Sequence, residues 1–374
     1  MANRQITSTQ LAAVGGLLVG VAALLNSIFG FLVPTPQQTE AVASTYATRL
    51  DAYIKVCNQQ IKWETQNGET SAARSTRRRC DKGIDGLNAV KELGASVPSS
   101  PLPLGASSQL PARSRATLRQ LLTTARPAPP ALFTAQDWAA IGTASVLSRD
   151  YAAGLTALNE ALKSYPTDAA LLNDKGVALF SSGDPSGALE AFKQARNLSP
   201  HNPTILSNYT LASFGARGLG AALASTAFWG KQLASSVPLL TTKGFILSTS
   251  TNATYALRIV EKTLASWPTN YEVLGDKAVI LGKLGNSAAA LRLFAVLFKR
   301  APTSSTFYNY ARFLIGQDKK PAGMLWLRKA VRENHAYAAI ASNDPDFNAI
   351  KSDPNFRALT AGEITPGIEL TPSP

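Results

Sequence analysis

The chain has 374 residues, a length that is enough for one membrane segment and two or three soluble modules. Hydrophobic residues make up 45% of it, an ordinary fraction for a folded protein. It contains only two His and two Cys, which leaves few side chains for metal binding or nucleophilic catalysis. The formal net charge of +13 is spread along the sequence. Diffuse positive charge favours anionic surfaces in general and does not select lipid or nucleic acid.

An uncharged apolar run at residues 11–33 follows an N-terminal flank at residues 1–10. A helix of this length rises about 35 Å, enough to cross the hydrocarbon layer of a membrane. The run therefore predicts a transmembrane anchor, with a cleaved signal peptide and a buried soluble helix as alternatives. Ala12, Gly16 and Gly20 recur every four residues, a spacing at which small residues let helices pack closely in lipid.

The charges around the anchor favour one orientation. Arg4 and the amino terminus precede it, whereas Glu40, Arg49 and Asp51 follow it. By a margin of one or two charges, the positive-inside rule predicts a cytoplasmic N-terminus. We expect a single-pass protein of a bacterial inner membrane, with lipid around the anchor and the C-terminal body exported to the periplasm.

Residues 35–93 predict a long helical hairpin that turns at Asn67-Gly68. Folding the chain about this turn places Cys57 opposite Cys80 and Leu50 opposite Leu87. The facing cysteines are compatible with a disulfide, which would fit an oxidising compartment; two unrelated core cysteines are the alternative. The basic run at 77–79 is interpreted as a solvated helix face, with contact to lipid head groups or nucleic acid as alternatives.

Residues 94–133 are rich in proline, which breaks helices, and predict a spacer with one short helix near residues 115–124. Residues 360–374 predict a disordered tail. Between them, residues 134–359 show a 34-residue period, marked by prolines at 166, 200, 268 and 302. Small residues recur at the eighth and twentieth positions, and large apolar residues at the fourth, seventh and twenty-fourth. This spacing predicts an all-α solenoid of about six stacked helical hairpins.

The pattern resembles the tetratricopeptide repeat family, in which Trp138 and Gly142 occupy the Trp and Gly positions of the first unit. Units one, two, four and five match closely. Unit three, residues 203–236, keeps the length and loses the signature. Unit six, from Ser305, matches when one residue is deleted near its turn. The acidic, proline-bearing segments from Asp344 resemble a closing element of such arrays.

The resemblance implies that the first helix of each unit lines a concave groove that binds protein partners. Its groove positions carry over to Asn173, Val177, Phe180, Ser207, Leu211, Phe214, Phe245, Asn309 and Phe313. This lining is apolar and amide-bearing, with Lys283 as its one clear cation. It favours an apolar peptide, extended or helical, as the ligand. The alternative is that the phenylalanines pack against the next repeat.

No catalytic residue, metal site, cofactor or nucleic-acid partner is expected. Gly215, Gly218 and Gly220 fall at a predicted helix–helix turn rather than after a strand, which argues against a phosphate loop. Asp344, Asp346 and Asp353 lack the spacing of a calcium loop and are predicted to cap short helices.

The sequence thus predicts a non-enzymatic, membrane-anchored scaffold that mediates protein–protein interaction and complex assembly. The alternative is an accessory subunit of a membrane enzyme complex or secretion machine, held by its transmembrane helix. A third class is an enzyme with an unrecognised site.

Overall fold

A computed structural model describes residues 36–226, 229, 236–250 and 252–363, and every regular element in these ranges is a helix. The predicted anchor, with Ala12, Gly16 and Gly20, lies outside the described residues. None of the described helices is both long enough and apolar enough to span a bilayer.

The first eight α-helices are α1 (Pro36–Gln66), α2 (Thr70–Ser96), α3 (Ala106–Gln109), α4 (Ala112–Ala125), α5 (Ala135–Ser148), α6 (Tyr151–Ser164), α7 (Ala169–Ser182) and α8 (Pro185–Leu198). The remaining ones are α9 (Pro203–Arg217), α10 (Leu219–Ser225), α11 (Val237–Ser248), α12 (Ala253–Ser266), α13 (Tyr271–Lys283), α14 (Ser287–Arg300), α15 (Ser304–Gly316), α16 (Lys320–Glu333), α17 (Ala336–Asn343) and α18 (Pro354–Thr360). Short 3-10 helices lie at Pro130–Leu132 and Pro345–Ile350.

The chain divides into two compact units. Among the described residues, unit 1 holds 36–102 and 110–174, and unit 2 holds 103–109 and the residues from 175 onward. Seven residues of the predicted spacer thus belong to the second unit rather than the first.

The N-terminal part of unit 1 is an antiparallel hairpin of α1 and α2. Cys57 and Cys80 form a disulfide across it, with their Cα atoms 6.0 Å apart. This separation lies within the ordinary range for disulfides. Leu50 and Leu87 belong to one apolar cluster with Tyr46. The disulfide predicted from the mirror spacing about the turn is therefore present.

An ion pair connects this hairpin to the first repeat. Arg49 on α1 binds the carboxylate of Asp137 on α5 and donates to the Leu132 carbonyl oxygen at 2.7 Å. Asp137 also closes a capping box with Thr134, so it satisfies the start of α5 while it binds Arg49. One carboxylate thereby fixes both the start of the repeat array and its contact with α1.

Within each matching repeat, a small residue at the eighth position receives a large side chain from the second helix. A Cβ atom placed on Gly142 would lie 2.7 Å from Leu158 Cγ, and one on Gly176 would lie 2.6 Å from Phe192 Cε1. Both distances are too short for a real contact, so these positions require glycine. The equivalent pairs are Gly244 with Val260 and Ala278 with Phe294.

The second helices also begin at a 34-residue interval. Their N-cap side chains, which accept a backbone N–H of the first turn, are Asp150, Asp184, Asn252 and Asn286. The third repeat has Gly218 at this position, with φ +82° and no side-chain cap. Its eighth position is Thr210, which accepts a hydrogen bond from Ser225 at 2.7 Å. A polar contact thus replaces the apolar pair, and α10 is short.

The prediction that residues 94–133 form a spacer is wrong. Helix α4 packs against α2 and α5, and the side chains of Leu102 and Leu118 are completely buried. Proline interrupts the regular helices here, as predicted. Leucine side chains at irregular intervals are nevertheless buried, and they hold the segments between the prolines against the rest of the protein. A proline-rich composition alone does not reveal this burial, because it depends on neighbours distant in sequence.

A buried carboxylate holds the end of this segment in unit 1. The Leu102 backbone N–H donates to Asp174 Oδ1 at 2.8 Å, and the Thr143 hydroxyl donates to Asp174 Oδ2 at 3.0 Å. Asn173 donates to the Leu102 carbonyl oxygen at 2.9 Å and to Asp174 at 3.2 Å. Burial raises the pKa of Asp174 to about 7, although these hydrogen bonds oppose the shift.

Replacing Gly176 by Ala tests the close approach of the two helices in the second repeat. The added Cβ meets the ring of Phe192, which is fully buried and cannot move aside. We expect Gly176→Ala to destabilise the protein by about 1–3 kcal/mol, as overpacking typically does, in urea unfolding. The control is Gly316→Ala on α15, where a Cβ meets nothing within 4 Å. Equal stability of the two variants would contradict this account of the glycine.

The buried Asp174 predicts a pH-dependent stability. The folded state binds a proton at this carboxyl more tightly than the unfolded chain, because its pKa is raised from 3.8 to about 7. Its contribution to stability is therefore largest in acid and is lost as the pH rises through 7. Asp174→Asn keeps an acceptor for Leu102 and has no charge to bury. We expect its stability relative to wild type to increase from pH 5 to pH 8.

Urea unfolding at the two pH values measures this difference. The control is Asp184→Asn, an exposed N-cap of α8 at which Asn remains a good capping residue. A constant difference between Asp174→Asn and wild type at pH 5 and pH 8 would show that Asp174 does not carry the effect.

Candidate functional site

The predicted groove residues are mostly buried within the fold. Phe180 and Phe214 are fully buried, and only Leu211 and Phe245 keep partial exposure. The others, all buried, are Asn173, Val177, Ser207, Asn309 and Phe313. The expectation that these side chains line an exposed groove is therefore wrong.

The phenylalanines pack between successive first helices instead. The ring of Phe180 packs against Gly215 of the next first helix. A Cβ atom placed on Gly215 would lie only 2.7 Å from Phe180 Cζ. Phe214 makes an edge-on contact with Phe245, with ring centroids 5.6 Å apart. Phe313 covers Gly282 in the same way. The alternative interpretation, in which these residues pack against the next repeat, is the one that the contacts support.

Polar side chains of the first helices in unit 2 form a separate surface, which we call the first-helix face. It consists of Asn208, Ser248, Glu272, Asp276, Lys283, Asn309 and Arg312, on α9, α11, α13 and α15. At its centre is Arg312, which is 1% exposed. Its guanidinium donates to Ser248 Oγ and Asn309 Oδ1, each at 3.0 Å.

The C-terminal end of the chain supplies the anions for Arg312. Asp344 Oδ2 lies 3.1 Å from Arg312 Nε, and Asp346 Oδ2 lies 2.8 Å from Arg312 Nη2. Asp346 also pairs with Lys283 at 2.6 Å, and Tyr308 donates to Asp344 at 2.8 Å. Asp344 caps the following 3-10 helix by accepting from the Asp346 N–H, as the sequence predicts. Asp344 therefore caps a turn, and the carboxyl groups of both aspartates lie against Arg312.

Burial shifts the pKa of several groups in this network. It raises the pKa of Asp276 to about 8, although Arg312 opposes the shift. It also raises the pKa of Asp344, against the effect of Arg312, and lowers the pKa of Lys283, against the effect of Asp346. Burial lowers the pKa of Arg312, but Asp344 and Asp346 more than compensate and raise it above its usual value. The close pairing of these groups offsets part of the free-energy cost of burying them.

A second segment of the chain lies on the other part of the face. The Leu104 backbone N–H donates to Asn208 Oδ1 at 2.9 Å. Five residues later, Gln109 Nε2 donates to Glu272 Oε1 at 2.7 Å. Between them, Ala106 is fully buried, and Gly105 has φ +85°, which favours glycine. The segment Pro103–Gln109 thus crosses from the third repeat to the fifth as a bound peptide would.

Helix α17 covers the neighbouring part of α9. Asn343 donates to the Gly215 carbonyl oxygen at 2.9 Å, and Ala339 lies beside the same glycine. The first-helix face is therefore in contact with two parts of its own chain, Pro103–Gln109 and the region from α17 to Asp346.

Sequence reasoning missed Arg312, Asn208 and Glu272 as members of this surface. The available signal was weak: Arg312 is an arginine within an apolar first helix, and Asp344 and Asp346 were assigned only to helix capping. No local pattern connects Arg312 with acids more than thirty residues away, or Asn208 with Leu104. Side chains of this kind can hydrogen-bond the backbone of an extended segment and can pair with charges on it.

Comparison with known proteins is consistent with this helical-pair architecture. Residues 140–203 match the family model described as tetratricopeptide repeat. No curated protein sequence matches the chain.

The solved structures that are similar to this chain include three at 12–14% sequence identity. A tetratricopeptide repeat protein from Parabacteroides merdae is 14% identical with a TM-score of 0.46, covering 76% of this chain and 98% of that one. A structure of Naa15/Naa10 bound to HypK-THB is 14% identical with a TM-score of 0.38, covering 95% of this chain and 66% of that one. The P58(IPK) TPR domain is 12% identical with a TM-score of 0.27, covering 94% and 97%. The family match identifies tetratricopeptide repeats at residues 140–203, and the resemblance predicted from the 34-residue period is confirmed there.

Proposed function

We propose that this protein is a membrane-tethered scaffold that binds a short segment of a partner protein on its first-helix face. The observation that carries the proposal is the seating of Pro103–Gln109, a segment outside the repeats that forms a turn and one turn of helix, on that face. The backbone N–H of Leu104 donates to the Asn208 side chain, a contact that does not depend on the identity of the bound side chain. A surface that holds one short segment in this way is suited to hold another of similar chemistry.

The tether is the apolar run at residues 11–33, and the proposed location is a bacterial inner membrane with the body in the periplasm. The disulfide between Cys57 and Cys80 supports this orientation, because disulfides persist in oxidising compartments. A tethered scaffold of this kind would assemble membrane complexes by holding a partner close to the bilayer. The groups described on the face are arranged for holding a peptide, so binding rather than catalysis is proposed.

Site-specific photocrosslinking tests the binding face. A photoreactive residue would replace Leu211 or Thr241, which are half-buried positions on α9 and α11. We expect crosslinks to one discrete partner in native membranes from these positions. The controls are Leu291 and Val296 on α14, which are 46% and 48% exposed and lie on a second helix. Crosslinks to the partner only from the α14 positions would place the binding surface elsewhere.

Cysteine accessibility tests the tether and the orientation. Full-length protein is expected in the membrane fraction, with neither Cys57 nor Cys80 alkylated under denaturing, non-reducing conditions in an intact-mass measurement. The control is a chain that lacks residues 1–35. It should be soluble, and without export both thiols should be alkylated. Recovery of the full-length chain as a soluble protein, or with two free thiols, would contradict the proposed location.

A further inference from the structure

Two polar contacts of Pro103–Gln109 place different requirements on the bound segment. At one end, Asn208 accepts a backbone N–H, which any residue except proline supplies. At the other end, the carboxylate of Glu272 accepts a hydrogen bond from the neutral amide of Gln109 at 2.7 Å. Among the described residues, no Lys or Arg forms an ion pair with Glu272. The resident segment therefore leaves a half-buried carboxylate without a cation.

A cation at the position of Gln109 would suit this carboxylate better. The Gln109 amide already donates to a carboxylate, and a cation in its place would add Coulomb attraction to that hydrogen bond. Burial raises the pKa of Glu272, and the hydrogen bond from Gln109 opposes the shift only in part. Glu272 thus lies in an environment in which a positive partner would be favourable.

We propose that Pro103–Gln109 is a resident ligand of the first-helix face, and that the partner segment which replaces it carries Lys or Arg where Gln109 lies. This inference rests on the proposed function and adds the chemistry of the partner. The proposed partner segment has a non-proline residue at the position of Leu104, glycine at the position of Gly105, and a small residue at the position of the buried Ala106. The partner's cation pairs with Glu272, and the displaced Gln109 amide returns to water.

A peptide-binding measurement tests the proposal directly. The protein is the full chain with residues 103–109 replaced by a Gly/Ser linker of equal length, so that the face is open. The probe is a fluorescent peptide of residues 100–110. We expect the open chain to bind this peptide, and the wild-type chain to bind it at least tenfold more weakly because the face is already occupied. The same peptide with Leu104→Pro lacks the N–H for Asn208 and should bind at least fivefold more weakly.

The charge prediction uses a matched set of four affinities. The peptide with Gln109→Lys should bind the open chain at least tenfold more tightly than the native peptide. In an open chain that also carries Glu272→Gln, the two peptides should bind equally. Equal affinity of both peptides for the open chain with Glu272 intact would overturn the proposed partner chemistry. Failure of every peptide to bind a folded open chain would overturn the ligand role of the segment.

A second measurement applies if the open chain does not fold. Gln109→Lys in the otherwise intact chain should raise the urea midpoint, and Gln109→Lys combined with Glu272→Gln should not. The same change in midpoint in both backgrounds would refute pairing with Glu272. These outcomes are separable from the proposed function, because crosslinks from Leu211 and Thr241 report a partner on the face whatever charge the partner carries.

Discussion

The repeat array depends on one steric constraint, the close approach of the two helices at the eighth position of the matching hairpins. Gly142 and Gly176 have no room for a Cβ, because Leu158 and Phe192 occupy that space. Such contacts bury large side chains at high packing density, and any added volume must be absorbed by a rigid neighbour. Each hairpin thereby has a fixed shape, and hairpins of fixed shape can stack at a regular interval.

A second steric contact, between successive first helices, explains why these helices do not form an open groove. Small residues at Gly215 and Gly282 let the rings of Phe180 and Phe313 enter from neighbouring first helices. Those rings then stabilise the stack and are not available to a partner. The repeat position of a residue therefore predicts which side of the first helix carries its side chain. Whether that side chain is exposed depends on the size of the residue that faces it on the neighbouring first helix.

Most of the fold could be predicted because its signals are local and repeat. The 34-residue period, the eighth-position glycines and the facing cysteines can all be read within one hairpin. The contacts of the first-helix face could not be predicted in this way. The hydrogen bonds from Leu104 to Asn208 and from Gln109 to Glu272 join residues 104 and 163 positions apart. They involve single polar side chains without periodicity, and the proline-rich composition of the segment indicated a solvated spacer instead.

The energetics of the first-helix face bear on the proposed exchange of its resident segment for a partner segment. Buried polar groups such as Asn208 require hydrogen-bond partners, so exchange of one segment for another leaves the number of hydrogen bonds nearly unchanged. The resident segment has an advantage from its covalent attachment, which corresponds to an effective concentration on the order of millimolar.

A charged hydrogen bond to Glu272 contributes about 1.5–3 kcal/mol, or roughly a factor of 10 to 150. This offsets only part of the advantage over a partner at micromolar concentration. The proposed tether would supply the remainder, because confinement of both proteins to one membrane would raise the local concentration of the partner. Under this proposal, the face favours its resident segment in solution and a basic partner segment at the membrane.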